Sequence, residues 1–442
     1  MYKKSAVELL QLIKKRELGI EELTRMYLER IEKIDRGEGG LNSVGEIIDH
    51  ALAKAREMDS QKDRSAPLFG LPILIKDNID VAGLHTTSGS LALADNRAER
   101  DADIVSNLRR RGAFIFGKTH MTEFANYMAE NMPGGYSSLG GQVIHAYDAK
   151  INPGGSSSGS GVAVSAGLCA AAIGTDTSFS IVGCAVINGI TGLKPVHGAL
   201  PMRGIIPICH TLDMAGPMTK NLSDALAVYS GMRNTPLEEI RPMKSENMRF
   251  AVNIHDRDKV SPEKMSMIKE LLEDLQKDGV FIGEVNHPDT PMEETIMLYE
   301  FRHDLEKYLS TSQAKRKTLR EIISFNDEDP QRRAKYGQKY LIETLEDASG
   351  RMDEPEYHQA CAQRKEVRDE IVASLDTYDI CLMSGRTAAM HFAGLPSVAF
   401  PLGVNTEGAP EGIILYGKDE RELISAALTI ETYLKPIRLP KL

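Results

Sequence analysis

The feature that most limits how this chain can fold is a long stretch, residues 131–161, that is rich in glycine and serine. Such a composition predicts a loop, and a loop of this length inside a compact domain is usually functional. The next residues, 162–173, read VAVSAGLCAAAI and are nearly all small and apolar. We expect them to form a helix that is packed closely on all sides, so a large core must surround the loop.

Short apolar runs that predict buried strands alternate with helical segments along most of the chain. Ile73–Ile75 lead directly into Lys76 and predict a strand that ends at the lysine, and residues 113–116 predict another strand. Residues 249–254 and 280–285 predict two more strands with a helix between them. This β-α-β pattern implies that those two strands are parallel.

Strands that alternate with helices in this way favour an α/β fold. We predict a single large mixed, mostly parallel β-sheet covered by helices on both faces, with a helical insertion. Strands at 378–383 and 397–403 and a helix at 420–434 complete it. The predicted parts are a helical cap (1–60), a core with the candidate site (61–235), a continuation of the α/β core (236–291), a helical lobe (292–376) and a return to the core sheet (377–442).

Charge and composition exclude several classes of protein. The 442 residues carry 53 basic and 63 acidic side chains, a net charge of −10, which argues against a general nucleic-acid binder. No apolar run approaches the roughly 18 residues that a membrane span needs, and we expect a cytoplasmic monomer or homodimer. The five cysteines include no CxxC pair, and no two histidines have metal-ligand spacing. We therefore predict no disulfide framework, no metal and no cofactor.

Two short motifs each have a simpler interpretation. Residues 112–119, GAFIFGKT, match the phosphate-loop pattern GxxxxGK[ST]. Their four variable residues suit a buried strand, which cannot wrap a phosphate, so we favour the strand. Residues 155–159, GSSSG, match a nucleophile elbow centred on Ser157, but that motif requires a preceding strand. The residues before it are turn-like, and a flexible loop or an anion-binding helix N-terminus fits as well.

Several segments in order are more specific than either motif. They are LPILIKDNID (71–80), GKTHMTEFAN (117–126), GGSSSGSG (154–161), GTDTSFSIVGCAVINGITGLKP (174–195), GIIPICHTLDMAGPMT (204–219) and AGLPSVAFPLG (393–403). Together they resemble the amidase signature family over nearly the whole chain. The run GGYSSLGGQ (134–142) is similar to the bacterial peptide-amidase branch of that family.

The resemblance implies a Ser-Ser-Lys triad in which Lys76 is the base, Ser156 the bridging serine and Ser180 the nucleophile. It also implies a cis peptide bond between Gly155 and Ser156. A lysine acts as a base only when neutral, so its pKa must fall from about 10.4, and burial has that effect. The apolar run before Lys76 makes burial plausible. The alternative is a surface lysine paired with Asp77.

The resemblance further places the oxyanion donors in the backbone of the turn before the nucleophile, at Thr177, Ser178, Phe179 and Ser180. Asp176 would hold that turn through its side chain, and Ser157 would support the triad. The chain departs from the family pattern in this region. Phe179 stands where glycine is usual, Val182 replaces a frequent arginine, and Gly183-Cys184 stand where proline is common.

The function implied is hydrolysis of small linear amides or peptide C-terminal amides through an acyl-enzyme. Two alternatives remain. Phe179 in the oxyanion turn raises the prospect of a catalytically impaired or ligand-binding relative. The same fold would also serve the glutaminase component of a tRNA-dependent amidotransferase, which works with partner subunits.

Overall fold

The computed structural model describes residues 1–233, 235 and 237–442, and one eleven-stranded sheet runs through that part of the chain. Its strand order is β1-β3-β2-β6-β8-β7-β12-β13-β11-β9-β10, while β4 and β5 form a separate hairpin. The strands are β1 (Val44–Ile47), β2 (Pro72–Lys76), β3 (Phe114–Thr119), β4 (Tyr136–Ser137), β5 (Gly141–Gln142), β6 (Ala171–Asp176), β7 (Thr191–Lys194), β8 (Met214–Thr219), β9 (Arg249–Asn253), β10 (Phe281–Val285), β11 (Ile380–Met383), β12 (Ser397–Val404) and β13 (Pro410–Tyr416).

The predicted mixed sheet is confirmed, but the expectation that it is mostly parallel is wrong. Among the described strands, β2 pairs in parallel with β3 and β6, and β9 pairs in parallel with β10 and β11. The other six pairings, which join β1, β6, β7, β8, β11, β12 and β13 to their neighbours, are antiparallel. The excess of antiparallel pairings arises in the centre of the sheet, where β12 and β13 form an antiparallel pair joined by a short loop. The sequence pattern did not predict β13 at all.

The described residues form fifteen α-helices. They are α1 (Ala6–Lys14), α2 (Ile20–Arg30), α3 (Ala51–Ser60), α4 (Asp103–Arg110), α5 (Ser158–Ser165), α6 (Val182–Asn188), α7 (Leu222–Met232), α8 (Pro262–Lys277), α9 (Met292–Thr311), α10 (Leu319–Asp327), α11 (Pro330–Arg333), α12 (Lys339–Asp347), α13 (Pro355–Ser374), α14 (Ala389–Phe392) and α15 (Glu420–Glu431). Helices α5 and α6 pack together against the central strands, and α1, α4 and α15 pack around α7. Within the described residues, no helix is long and apolar enough to cross a membrane.

The helix predicted over residues 162–173 is correct only in its first part. Helix α5 ends at Ser165, Gly167 adopts a φ of +66°, and the chain enters β6 at Ala171. Strand β6 lies between β2 and β8, and all of its residues are buried. A strand covered on both faces has no alternation of polar and apolar residues, so its pattern is easily mistaken for a buried helix.

The predicted segments can be compared with these elements. Residues 1–60 are mainly helical, but they also supply β1 at the edge of the sheet. Residues 292–376 contain α9–α13, whose apolar side chains form a second cluster with Phe124 and Tyr127. The predicted boundary between 61–235 and 236–291 falls where residues 234 and 236 lie outside the described residues.

Candidate active site

Lys76 is the last residue of β2 and is fully buried. Strands β3 and β6 flank β2 on either side, and the lysine side chain reaches the end of β6 and the segment just before α5. Its Nζ atom donates to the hydroxyls of Ser156 (2.7 Å), Ser157 (2.9 Å) and Thr175 (2.7 Å). The amine therefore lies in a closed pocket whose hydrogen-bond partners are mostly hydroxyl groups.

Burial lowers the pKa of Lys76 to about 7, although nearby Cys184, Asp176 and Asp213 raise it in part. A lysine with this pKa is substantially neutral near pH 7 and can accept a proton. Asp77 does not pair with it, because the Asp77 carboxylate accepts hydrogen bonds from Thr87 and Gly89. The alternative of a surface lysine paired with Asp77 is therefore wrong.

Ser156 and Ser180 lie side by side. The peptide bond between Gly155 and Ser156 is cis, and the Ser156 N–H donates to the Ser180 hydroxyl at 3.0 Å. In the part of the chain that the structure describes, no hydrogen bond joins the two hydroxyls directly. Ser180 stands just before α6 and is 6% exposed. Lys76, Ser156 and Ser180 thus lie along one line of contacts.

Ser157 and Asp176 support this group in different ways. The Ser157 hydroxyl donates to the Thr175 carbonyl at 3.0 Å, which leaves its oxygen to accept from Lys76. Asp176 accepts from the N–H groups of Ile181 (2.6 Å) and Val182 (3.2 Å) at the start of α6. The Asp176 carboxylate therefore closes the turn between Asp176 and α6.

The turn that holds the predicted oxyanion donors is also fixed from outside. The Thr177 hydroxyl donates to Asp213 at 2.6 Å. Burial raises the pKa of Glu293, in the first turn of α9, to about 8, and the neighbouring Ser178 hydroxyl lowers it in part. Within the described residues, the N–H groups of Thr177, Ser178 and Ser180 form no hydrogen bond, so they are available to a ligand.

Phe179 differs from its neighbours in the turn. Its φ is +64°, in the region that favours glycine, and its ring packs edge-on to His391 with centroids 4.4 Å apart. A Cβ atom at Gly183 would lie 3.0 Å from the Cβ of Phe179. The two departures noted in the sequence are therefore linked, because Gly183 leaves the room that the Phe179 side chain occupies.

Sequence reasoning missed four side chains at this site: Thr175, Asp213, Glu293 and His391. Thr175 had a signal, because it directly precedes Asp176 at the end of a strand that leads into the candidate turn. Asp213 lies within a recognised motif, but nothing there indicates that its carboxylate faces Thr177. No local pattern marks Glu293 or His391, since each comes from an element that only the folded chain brings to the turn.

A cavity of about 730 Å³ opens beside these residues. Its walls include Gly154, Gly155, Phe179 and Cys184 from the site and Arg386 from the loop after β11. The segment around Met132 and Gly134 also contributes, as expected for the long glycine-rich loop. Among the described lining residues none comes from 292–376, so the helical lobe does not line this cavity.

One group of side chains has the composition of a metal site. Ligand atoms of His210, Glu300 and Asp304 lie within 4.8 Å of one another. The Glu300 carboxylate already accepts from Thr211 and Tyr357, and Asp304 accepts from the N–H and ring nitrogen of His210. These bonds fasten α9 and α13 to the loop before β8, and the group needs no ion to explain it.

Comparison with known proteins agrees with this geometry. The family model described as Amidase matches residues 22–389. A probable amidase of Arabidopsis thaliana is 30% identical over 94% of this chain and 86% of its own length. A glutamyl-tRNA(Gln) amidotransferase subunit of Lawsonia intracellularis is 28% identical over 99% of both chains.

The fold matches solved structures equally well. The native peptide amidase of Stenotrophomonas maltophilia superposes with a TM-score of 0.92 and 31% identity, and the match covers 99% of this chain and 98% of that one. The predicted resemblance is therefore confirmed by both sequence and structure. This chain belongs to the amidase signature family, and it is a hydrolase that acts on amides.

Proposed function

We propose that this enzyme hydrolyses small linear carboxamides, including peptide C-terminal amides, through a Ser-Ser-Lys triad and an acyl-enzyme. The observation that carries the proposal is that buried Lys76 bonds to the Ser156 hydroxyl, while the backbone N–H of the same serine bonds to the Ser180 hydroxyl. A serine hydroxyl is a weak nucleophile and needs a base. In this pocket the group that can serve as a base next to the bridging serine is Lys76.

The hydrogen bonds around Lys76 support one path for the proton. Neutral lysine has two N–H donors and one lone pair. Ser157 takes one donor, because its own proton is turned toward the Thr175 carbonyl. The Thr175 hydroxyl oxygen, which also accepts from the Asn78 amide, takes the other. The lone pair then faces Ser156, whose hydroxyl proton passes to Lys76 as Ser156 takes the proton of Ser180.

Ser180 Oγ attacks the amide carbonyl carbon and the carbonyl oxygen becomes an oxyanion, which backbone N–H groups of the 177–180 turn stabilise. The C–N bond then breaks, and Ser156 returns a proton to the departing nitrogen while Lys76 replenishes Ser156. Water attacks the acyl-enzyme through the same path in reverse. Ser180 is regenerated and the carboxylic acid leaves.

The preference for peptide amides is supported by the likeness to peptide amidase over nearly all of both chains. Glutaminase activity within an amidotransferase is the second candidate, because the glutamyl-tRNA(Gln) amidotransferase chain also matches over 99% of both sequences. The two differ in acyl group and in partners. A panel of peptide amides, simple amides and glutamine, assayed with the purified chain alone, separates them.

The nucleophile is tested with a fluorophosphonate, which phosphonylates activated serines. We expect a single adduct on Ser180 by peptide mass spectrometry, and we expect Ser180→Ala to abolish both labelling and turnover. Ser165→Ala is the matched control, because this nearly buried hydroxyl at the far end of α5 has no hydrogen-bond partner among the described residues. Labelling of another serine, or turnover by Ser180→Ala, would contradict the proposal.

A further inference from the structure

His391 contacts the oxyanion turn through the backbone. The N–H of Phe179, one of the predicted oxyanion donors, donates to the Nε2 atom of His391 at 3.3 Å. His391 lies in α14, 212 positions away in the chain, and is 1% exposed. A donor that an internal acceptor already holds is not directed at a ligand.

Asp176 lies beside the other ring nitrogen of His391, Nδ1. Its Oδ1 atom lies 3.2 Å from Nδ1 of His391, while its Oδ2 atom holds the N–H groups at the start of α6. Burial acts to raise the pKa of Asp176, but the charge of Lys194 and the hydrogen bond from the Ile181 N–H are among the interactions that oppose it, and the pKa is lowered. Burial lowers the pKa of His391. Nε2 accepts from the Phe179 N–H, so neutral His391 carries its proton on Nδ1. The ionised Asp176 carboxylate, 3.2 Å from Nδ1, favours that tautomer through its charge, although the pair does not have the geometry of a hydrogen bond.

We propose that His391 is a positioning residue that holds the Phe179 N–H out of the oxyanion site, so that the backbone donors of Thr177, Ser178 and Ser180 stabilise the oxyanion without it. The inference rests on the proposed role of Ser180 as nucleophile. The inference goes beyond that role, since it names the side chain that determines how many backbone N–H groups stabilise the oxyanion.

The surroundings of Phe179 keep this arrangement in place. The Phe179 ring lies edge-on to the imidazole, and the Arg386 guanidinium lies 4.9 Å from the ring on the cavity side. Gly183 leaves the space that the Phe179 side chain needs. Backbone and side chain of Phe179 are thus both bound to their neighbours, and rotation of its N–H toward the substrate requires loss of the His391 contact.

Two matched substitutions at position 391 separate the effect of the hydrogen-bond acceptor from the effect of side-chain volume. His391→Leu removes the acceptor and keeps an apolar side chain in the space, whereas His391→Gln retains an acceptor oxygen. One oxyanion donor is worth about 10²–10³ in rate, so we expect His391→Leu to raise the rate of Ser180 phosphonylation by a fluorophosphonate about tenfold or more. His391→Gln should remain near the wild-type rate. Where an amide substrate is known, kcat should rise with KM nearly unchanged.

A second measurement uses the wild-type protein, so it does not depend on whether a variant folds. In protein labelled with 15N-phenylalanine, the Phe179 amide is observed before and after phosphonylation of Ser180, whose adduct places an oxygen in the oxyanion site. We expect the wild-type amide proton to move little, because His391 still holds it. A strong downfield shift in the wild-type adduct would show that the N–H serves the oxyanion and would overturn the proposal.

The kinetic result can overturn it as well. A folded His391→Leu protein that is phosphonylated no faster than the wild type would show that His391 only supports the turn. If no serine is labelled at all, the proposed function has failed. The hydrogen bond between Phe179 and His391 can then still be tested in the unlabelled protein. There, a Phe179 amide shift that is the same in wild type and His391→Gln but different in His391→Leu supports the hydrogen bond, and equal shifts in all three refute it.

Discussion

Two buried lysines on neighbouring strands, Lys76 and Lys118, show what turns such a residue into a base. Lys76 ends β2, and Lys118 lies beside it in β3, opposite Ile75. Both are fully buried, and burial lowers the pKa of both. Burial alone therefore does not distinguish a candidate catalyst from a structural residue.

The difference lies in the atoms that each amine contacts. Lys118 donates to the carbonyl oxygens of Ile79 and His85 and to the Thr86 hydroxyl. Carbonyl oxygens accept hydrogen bonds and have no proton to pass on, and all three partners lie in the loop after β2, so this lysine fastens that loop. Lys76 instead faces hydroxyls, including Ser156, which can pass a proton on. A buried lysine is a candidate base where a partner hydroxyl lies next to a second serine, as Ser156 lies next to Ser180.

The first prediction tests the Lys76 half of this comparison. Lys76→Met should lower kcat/KM by about 10³-fold or more, because general-base catalysis contributes about 10²–10⁴ and no other group replaces the amine. The fold should persist, since methionine fills the space without a buried amine. Kinetics with a responsive amide and thermal denaturation measure the two effects. A folded Lys76→Met enzyme with near wild-type rates would refute the assignment.

The second prediction concerns Lys118, where we expect a loss of stability with activity retained, the reverse of the result for Lys76. Lys118→Met should lower the free energy of unfolding by about 2–4 kcal/mol, because it leaves buried carbonyl oxygens without a hydrogen-bond donor. The activity of each folded molecule should stay near wild type. Urea unfolding and active-site titration measure these quantities. A large fall in kcat with unchanged stability would mean that Lys118 belongs to the catalytic group after all.

The same comparison explains how far the sequence alone leads. Both lysines end short apolar runs, and Lys118 even completes a phosphate-loop pattern that the structure places in β3. Lys76 was distinguished by the order of motifs that includes the serines at 156 and 180. Which atoms meet the lysine depends on how β6 and the 154–158 loop are placed, and that placement follows from the whole sheet.

Long-range contacts and fully buried strands account for what sequence reasoning missed. Strand β6 was assigned to a helix because it is buried on both faces and shows no alternation. His391 could not be placed beside Phe179, because no short-range pattern joins residues in α14 to the turn before α6. The antiparallel centre of the sheet was missed for a similar reason, since strand direction depends on connections that the local pattern does not encode.

The third prediction concerns pH. Because neutral Lys76 is the proposed base and its pKa is about 7, kcat/KM should rise with pH, about tenfold per unit below that value, and level off above it. Lys118→Met should keep the same midpoint, since Lys118 contacts no reacting group. A pH–rate profile on a substrate without ionisable groups provides the measurement. A rate that falls as pH rises through 7 would mean that protonated lysine is required.

The smallest expected effect comes from Ser157, which touches Lys76 but lies outside the proton path. Its hydroxyl accepts from the Lys76 amine at 2.9 Å. Ser157→Ala removes a hydrogen bond that favours the charged lysine, so the pKa of Lys76 should fall and the midpoint of the pH profile should move to lower pH. The plateau rate should drop only about three- to tenfold, because the lysine loses one orienting contact and keeps Ser156 and Thr175.

The matched control for Ser157→Ala is Ser160→Ala in α5, the helix that Ser157 directly precedes. The Ser160 hydroxyl is equally buried but bonds to Ile173 and Thr119 and does not reach Lys76. Its removal should leave the midpoint where it is. A midpoint that moves to higher pH in Ser157→Ala would mean that the hydroxyl mainly shields the lysine from water. Loss of activity as complete as in Lys76→Met would instead place Ser157 in the proton path, in the position assigned here to Ser156.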